Sequence, residues 1–452
     1  MATDEKKRLE TYKSSVEGRR KVAYAAMPPS QYLRRTVDGP LDQLLGGLAA
    51  IAIEGPKGVG KTRTARRRSS AFFDLSDPTT LELVKGDPSR LTAAATPVVI
   101  DEWQCFPPVW DCVRRAVDDD PTPGRFLLTG SASPAMPSTH SGAGRIVRLR
   151  MRPLSLAERG IVRPSVSLAS LLGGSRPPVR GSCSMRLEDY AHEVVAGGFP
   201  SLRQMQSHAR KASLDGYLDR IVDRDVPEAG QSIRRPDSLR RWLTAYAAAS
   251  ATTATFETIR DAATGGTSNK PAKTTVMTYR DVLERIWILD PVEAWLPTRN
   301  HLRTLTAGPK HHLADPALAA RLLGADAEAL LHGRTGGPAM PRDGTLLGAL
   351  FESLVTLGVR VAAEAAGARV RHLRTAEGKR EVDLIVVRDD HRIIAIEVKL
   401  SQSVGDEDVR HLRWLADKLG DDLLDAVVIT TGSEAYRRAD GIAVVPAGAF
   451  GP

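Results

Sequence analysis

Ile51-Ala52-Ile53-Glu54-Gly55-Pro56-Lys57-Gly58-Val59-Gly60-Lys61-Thr62 is an apolar run that passes into a glycine-rich turn closed by Gly-Lys-Thr. The order it predicts is strand, loop, helix. Gly55, Gly58 and Gly60 let the backbone take conformations that a side chain forbids, so successive N–H groups can turn inward toward an anion. The helix beginning near Lys61 adds its positive end. In the spacing G-x-x-x-x-G-K-[ST] the lysine reaches the β and γ phosphates and the adjacent hydroxyl holds Mg2+, which assigns those tasks to Lys61 and Thr62. Gly55, Pro56, Lys57, Gly58, Val59, Gly60, Lys61 and Thr62 are the expected contacts of ATP. The plain alternative is a glycine-rich turn before a basic helix, and the strand in front of it argues against that.

Working outward, Pro97-Val98-Val99-Ile100-Asp101-Glu102 is a second apolar run, ending in two carboxylates about forty residues on. An unbroken apolar strand is buried on both faces of a parallel sheet, and ligands bind beyond its carboxyl end. Asp101 is thus expected to bind Mg2+ through its water shell, and Glu102 to act as general base on the attacking water. Phe126-Leu127-Leu128-Thr129 ends in Gly130-Ser131, which places Thr129 or Ser131 as a polar sensor or simply as a strand-end cap. Between Gly144 and Pro153 basic and apolar residues alternate with the period of a half-exposed strand. Arg145 there could neutralise transition-state charge in cis or from a neighbouring subunit.

Gly55 to Thr62, Asp101-Glu102-Trp103-Gln104, Leu128-Thr129-Gly130-Ser131, Gly144-Arg145 and Pro153-Leu154-Ser155-Leu156-Ala157-Glu158 together resemble the prokaryotic AAA-type ATPases that carry a C-terminal domain of unknown function. The resemblance implies the additional-strand P-loop fold, in which the Asp101 strand is set apart from the Ile51 strand by another. Lys57 stands where that family usually has arginine, and Trp103 where it usually has an aliphatic residue.

At 452 residues the chain calls for two or three domains. Its net charge of +9, with pI near 9.5, favours a polyanionic partner or a bound nucleotide, and is equally satisfied by a solvated basic face. Residues 1–35 carry nine Lys/Arg against four acids, in what reads as a charged helical leader before a short helix from Leu41 to Leu48. Cys105, Cys112 and Cys183 have neither disulfide nor zinc spacing, which suits a reducing cytoplasm. No signal peptide is evident and no apolar run reads as long enough to span a bilayer, so a cytoplasmic protein is expected.

Residues 161–187, rich in Ser, Pro, Gly and Arg, read as a linker. The region 188–335 reads as mainly helical, with helices at Tyr190–Ala196 and Tyr217–Val226. Phe256 to Ala263, a Gly-Gly turn, Thr274 to Trp287 and Ile288-Leu289 suggest a winged helix that could bring Lys273, Arg280 and Arg285 near DNA, although the structural reading of that module is favoured.

From Gly344 the predicted order is a long helix, strands Ala368–Arg374, Glu381–Val387 and Arg392–Leu400, helix Asp406–Leu419 and strand Ala426–Thr430. This αβββαβ order resembles the core of the PD-(D/E)XK nuclease fold. Glu397 and Lys399 are two apart on a strand and share a face. Asp383 and Glu397 could hold one Mg2+, with Glu352 an additional acid from the helix and Lys399 positioning a hydroxide. Asp383 joins Glu397 only if an odd loop such as Asp389–His391, or a bulge, sets the register.

The whole reads as α/β: a P-loop parallel-sheet ATPase domain (1–160), the linker, a winged-helix-like middle and a nuclease-like domain (336–452). Two functions compete: an Mg2+-dependent ATPase coupled to a domain acting on DNA or RNA, and an ATP-driven switch whose silent nuclease-like fold docks a protein partner. Oligomers are compatible with either.

Overall fold

In the computed structural model, residues 32–131, 144–230, 235–264, 270–297, 307–332, 344–375 and 378–452 are described. The expected leader falls almost wholly outside them, as does the Gly265-Gly266 turn. Five strands, β1 (Ala50–Glu54), β2 (Ala71–Asp74), β3 (Val98–Asp101), β4 (Phe126–Gly130) and β5 (Ile146–Arg150), form a parallel sheet in the order β2-β3-β4-β1-β5. As the family resemblance implied, β4 separates the phosphate-loop strand β1 from the acidic strand β3.

Side chains alternate across a strand, and the two faces of this sheet bury different things. Ala50, Ala52, Ile100 and Leu128 pack with Trp103, Trp110 and Val113, the latter two from the helix Pro108–Asp119. Ile51, Ile53, Val99 and Leu127 join a larger core with Leu239, Trp242 and Tyr246 of the helical middle. That middle contains helices Leu187–Ala196, Ser207–Arg220, Pro236–Ala248, Phe256–Ala262, Lys273–Arg285, Pro316–Leu322 and Ala327–His332. The expected stripe from Tyr217 to Val226 is helical but passes through a π turn at Ile221–Asp225. After Lys273–Arg285 the chain makes isolated antiparallel bridges, Leu289 to Leu313 and Val292 to Lys310. Lys273 is exposed, whereas Arg280 stacks over the Phe256 ring at 5.0 Å and the Arg285 Nε is buried.

The C-terminal sheet has the order β7-β12-β13-β11-β10-β9-β8. Its strands are β7 (Gly181–Ser182), β8 (Arg369–Arg374), β9 (Glu381–Val387), β10 (Ile393–Lys399), β11 (Leu423–Thr430), β12 (Glu434–Arg437) and β13 (Ala443–Pro446), while β6 (Val166–Ser167) pairs separately with β14 (Phe450–Gly451). Helix Arg410–Leu419 covers one face through Leu412 and Leu415. Helix Gly344–Ala365 covers the other.

Two expectations are corrected here. Residues 161–187 are no linker: β6 and β7 pair with β14 and β12, and Leu168, Leu171, Val179, Cys183 and Met185 are buried in the C-terminal core. Two-residue strands have no period to read, and their pairing partners lie more than 250 residues away. Second, Leu346–Ala365 is long and apolar enough to span a bilayer by length and composition. Its apolar faces are spent inside the protein: Leu347, Leu350 and Leu354 pack on the helical middle, and Phe351, Val355, Val359 and Ala362 on the sheet. A helix sandwiched between two layers carries apolar residues on more than one face.

Candidate functional site: the phosphate loop and a second carboxylate cluster

Gly55, Gly58 and Gly60 have φ of 154°, 81° and 104°. At Gly55 the need is also steric, since a Cβ would lie 2.0 Å from the Met151 carbonyl oxygen. Lys61 is buried, and its Nζ donates to the carbonyls of Gly55 and Pro56, both at 2.8 Å. The ammonium thus points into the concavity of its own loop. Among the described residues no carboxylate pairs with it directly. Burial pushes its pKa down to about 8, against the pull of Glu102 and Asp101.

Asp101 and Glu102 emerge beside it from the carboxyl end of β3. Asp101 Oδ1 accepts from Thr62 Oγ1 at 2.9 Å and from Thr129 Oγ1. Burial raises the Asp101 pKa, with the two hydroxyls pulling it back. Thr129 therefore positions the acid rather than standing as a bare cap. Glu102 sits in the left-handed region at φ 50°, an uncommon conformation for a non-glycine residue that recurs at working sites. Its Oε2 accepts from Ser131 Oγ at 2.9 Å and from Gln104 Nε2. The loop lysine and hydroxyl, the paired acids and the β4 hydroxyls are thus brought together as expected. Thr62 and Asp101, already hydrogen-bonded, fit an Mg2+ ion and its water shell.

Arg145 does not join them. Ile146 pairs with Ala50 at the start of β1 and Arg150 with Glu54 at its end, which puts Arg145, five residues before Arg150, roughly 17 Å down the strand from the loop end, at about 3.3 Å per residue. It pairs with Asp118 at 2.7 Å. The cis role is therefore corrected: the strand's alternation was readable, but which end faces the loop was not.

Sequence reasoning missed three buried groups. Arg35 donates from Nη1 to the Val59 carbonyl and from Nη2 to the Arg152 carbonyl, both at 2.7 Å, and pairs with Glu158 at 3.1 Å, so one guanidinium ties the phosphate loop to the Pro153–Glu158 segment. Asp290 is held by Arg150 at 3.0 Å, Arg152 at 2.7 Å and Arg360 at 2.9 Å, which joins β5, the helical middle and the long C-terminal helix. Burial would raise its pKa, but the three guanidinium groups hold it far below the carboxylate range. Lys310 is the third. The helical middle also grips the loop through Lys57, whose Nζ pairs with Asp225 at 2.6 Å and Glu228 at 3.1 Å beside a pocket that Gln104 and Ser131 also line.

In the C-terminal sheet, Ile396 pairs with Leu384 and Ile393 with Val387. That register sets Asp383 opposite Glu397. The required odd loop is present: Arg388 N bonds Arg392 O at 3.0 Å, leaving 389–391 at the tip. Asp383 Oδ2 accepts from the Val398 N–H at 2.9 Å, and Glu397 Oε1 from Lys399 Nζ at 2.8 Å. Glu352 is close by, but a lysine stands between. Lys310 Nζ lies 2.9 Å from Glu352 Oε1, 3.0 Å from Asp383 Oδ1 and 3.4 Å from Glu381 Oε1. Burial and then the Asp383 charge push Glu352 and Glu397 up to about 8. Asp383 is held low: the Lys310 ammonium and the Val398 amide outweigh its burial. Among the described residues no three His, Cys, Asp or Glu side chains are gathered to hold a metal ion. The expected Mg2+ set of Asp383, Glu397 and Glu352 does not fit a divalent ion here, because Lys310 already pairs with Asp383 and Glu352 and Lys399 with Glu397.

Sheet order, glycine loop and acidic strand end define a P-loop ATPase domain of the AAA type. Residues 49–159 match the family model described as an AAA domain, and 187–329 and 347–450 match two domains of unknown function, DUF8612 and DUF4143. The chain is similar to uncharacterized proteins of Mycobacterium bovis and Mycobacterium tuberculosis, each 26% identical over 300 residues, or 65% of this chain. It spans about 60% of the length of those relatives. A Walker-type ATPase of Pyrococcus abyssi superposes with a TM-score of 0.38 at 15% identity, covering 64% of this chain and 96% of that one.

Proposed function

We propose that the chain is an Mg2+-dependent ATPase whose nucleotide state is passed through the helical middle to the C-terminal domain. The observation that carries this is the buried Lys61 ammonium, aimed into a glycine loop with only backbone carbonyls against it and with two carboxylates on the neighbouring strand end. On binding, the β and γ oxygens of ATP replace the Gly55 and Pro56 carbonyls as acceptors for Lys61. Thr62 and Asp101 would hold Mg2+, which neutralises phosphate charge when bound. Glu102, aimed by Ser131 and Gln104, takes a proton from the attacking water as the terminal P–O bond breaks, leaving ADP and phosphate. Arg145 is then a candidate only from a neighbouring subunit.

Two readings of the output stand. In the first the C-terminal domain acts on DNA or RNA; in the second it is a silent fold that docks a protein partner, and Lys310 among the carboxylates favours this one. Three free cysteines suit a reducing cytoplasm. Purified full-length chain separates the readings: Mg2+-dependent cleavage of DNA or RNA that vanishes in Lys399→Ala while ATP turnover persists supports the first, and ATP-dependent partner capture without cleavage supports the second.

A further inference from the structure

We propose that Lys310 is the resident cation of the C-terminal carboxylate site, and that this site takes a divalent ion only when Lys310 is removed from it. The inference rests on the nuclease-like reading for the identity of the site, but not for its outcome. An ammonium has three N–H donors, and Lys310 finds three carboxylates, Glu352, Asp383 and Glu381, while being 1% exposed. A buried cation is costly unless it is paired or hydrogen-bonded, and buried acids crowded on adjoining strands and a helix need a positive charge in return. Mg2+ and its congeners require carboxylate oxygens about 2.0–2.6 Å from one ion. The Lys310 ammonium stands about where that ion would stand, and a second cation would meet its repulsion directly.

One oxygen marks what the lysine leaves undone. Glu397 is 6% exposed, and its Oε2 has no hydrogen-bond partner among the described residues although Oε1 is held by Lys399. The cluster therefore keeps one buried carboxylate oxygen without a partner, on the residue that faces Asp383 across the strand pair. Lys310 is also built in rather than swung in. Its backbone bonds Val292 in both directions at 2.8 and 2.9 Å, His311 N bonds the Thr252 carbonyl at 2.9 Å, and His312 Nδ1 lies 2.9 Å from Ser353 Oγ, next to Glu352 on the helix. Asp290 N donates to the His312 carbonyl at 2.9 Å, so the segment carrying the lysine is fastened to the arginine-bound junction with the ATPase sheet.

The test is Mn2+ titration of full-length, nucleotide-free chain by calorimetry, with melting temperature as a second readout, in wild type, Asp383→Asn, Lys310→Met and Lys310→Met/Asp383→Asn. Wild type and Asp383→Asn are expected to take up Mn2+ identically. Lys310→Met is expected to gain one site at least tenfold tighter than any in wild type, to melt higher with Mn2+, and to lose both effects in the double variant. Lys310→Met/Glu352→Gln, with one buried acid fewer, replaces Lys310→Met if that protein is insoluble. The proposal is overturned if wild type binds Mn2+ at a site that Asp383→Asn removes, or if the lysine-free chain still binds ATP yet gains no Mn2+ site. Failure of the nuclease reading looks different: Lys310→Met then binds Mn2+ and leaves DNA and RNA intact.

Discussion

The Lys61 ammonium is buried with a pKa near 8, whereas an unfolded lysine titrates near 10.5. Between those values the unfolded chain binds more protons, so the nucleotide-free protein gains stability as pH rises from about 8 to about 10.5. Triphosphate demands the charged form, so ATP affinity is expected to fall as pH rises above 8, toward tenfold per unit. Calorimetry at pH 8.5 in buffers of different ionisation enthalpy should register proton uptake on binding; affinity flat from pH 7 to 9.5 would contradict the assignment. At Glu102 the expectation is kinetic: Glu102→Gln keeps ATP binding and loses about 10²–10⁴ in kcat. Wild-type turnover by that variant would remove Glu102 as the base. These residues were legible because each lies in a short motif whose chemistry and spacing are local. Lys310 and Arg35 were not, since each earns its role from partners tens to hundreds of positions away.

At the level of strands and helices, Asp290 is the joint. Its carboxylate balances Arg150 at the end of β5, Arg152 just beyond it and Arg360 from the long helix. Removing one partner of a buried charge network costs about 3–5 kcal/mol. Asp290→Ala is accordingly expected to lower the unfolding free energy, read by denaturant titration, by a matching amount, and a change under about 0.5 kcal/mol would show that the arginines find other partners. Gly198→Ala probes a second contact, because its Cβ would stand 2.4 Å from the Leu154 carbonyl, where the helical middle meets the end of the ATPase domain. The parallel sheet was readable from its unbroken apolar runs, and the β9–β10 register from an odd loop. The strands β6 and β7 were not, because two residues carry no alternation and loop composition conceals them.

For the whole molecule, one face of the ATPase sheet and one face of the long C-terminal helix share the core of the helical middle. Residues 161–187 tie β12 and β14 from the far side. A C-terminal fragment beginning at residue 336 lacks β6, β7 and the buried Leu168, Leu171 and Val179, so it is expected to be insoluble or to lack a cooperative melt. Cooperative unfolding of that fragment alone would restore the linker reading of 161–187. The same shared core predicts that nucleotide stabilises the entire chain: ATP with Mg2+ at a hundred times Kd adds about 2.7 kcal/mol by mass action.

The most direct measurement is calorimetric titration of folded full-length chain with ATP and Mg2+, beside Lys61→Ala. A phosphate loop that grips triphosphate through Lys61 predicts saturable uptake of one nucleotide per chain by the wild type and none by the variant. No uptake by either, or equal uptake by both, would contradict it.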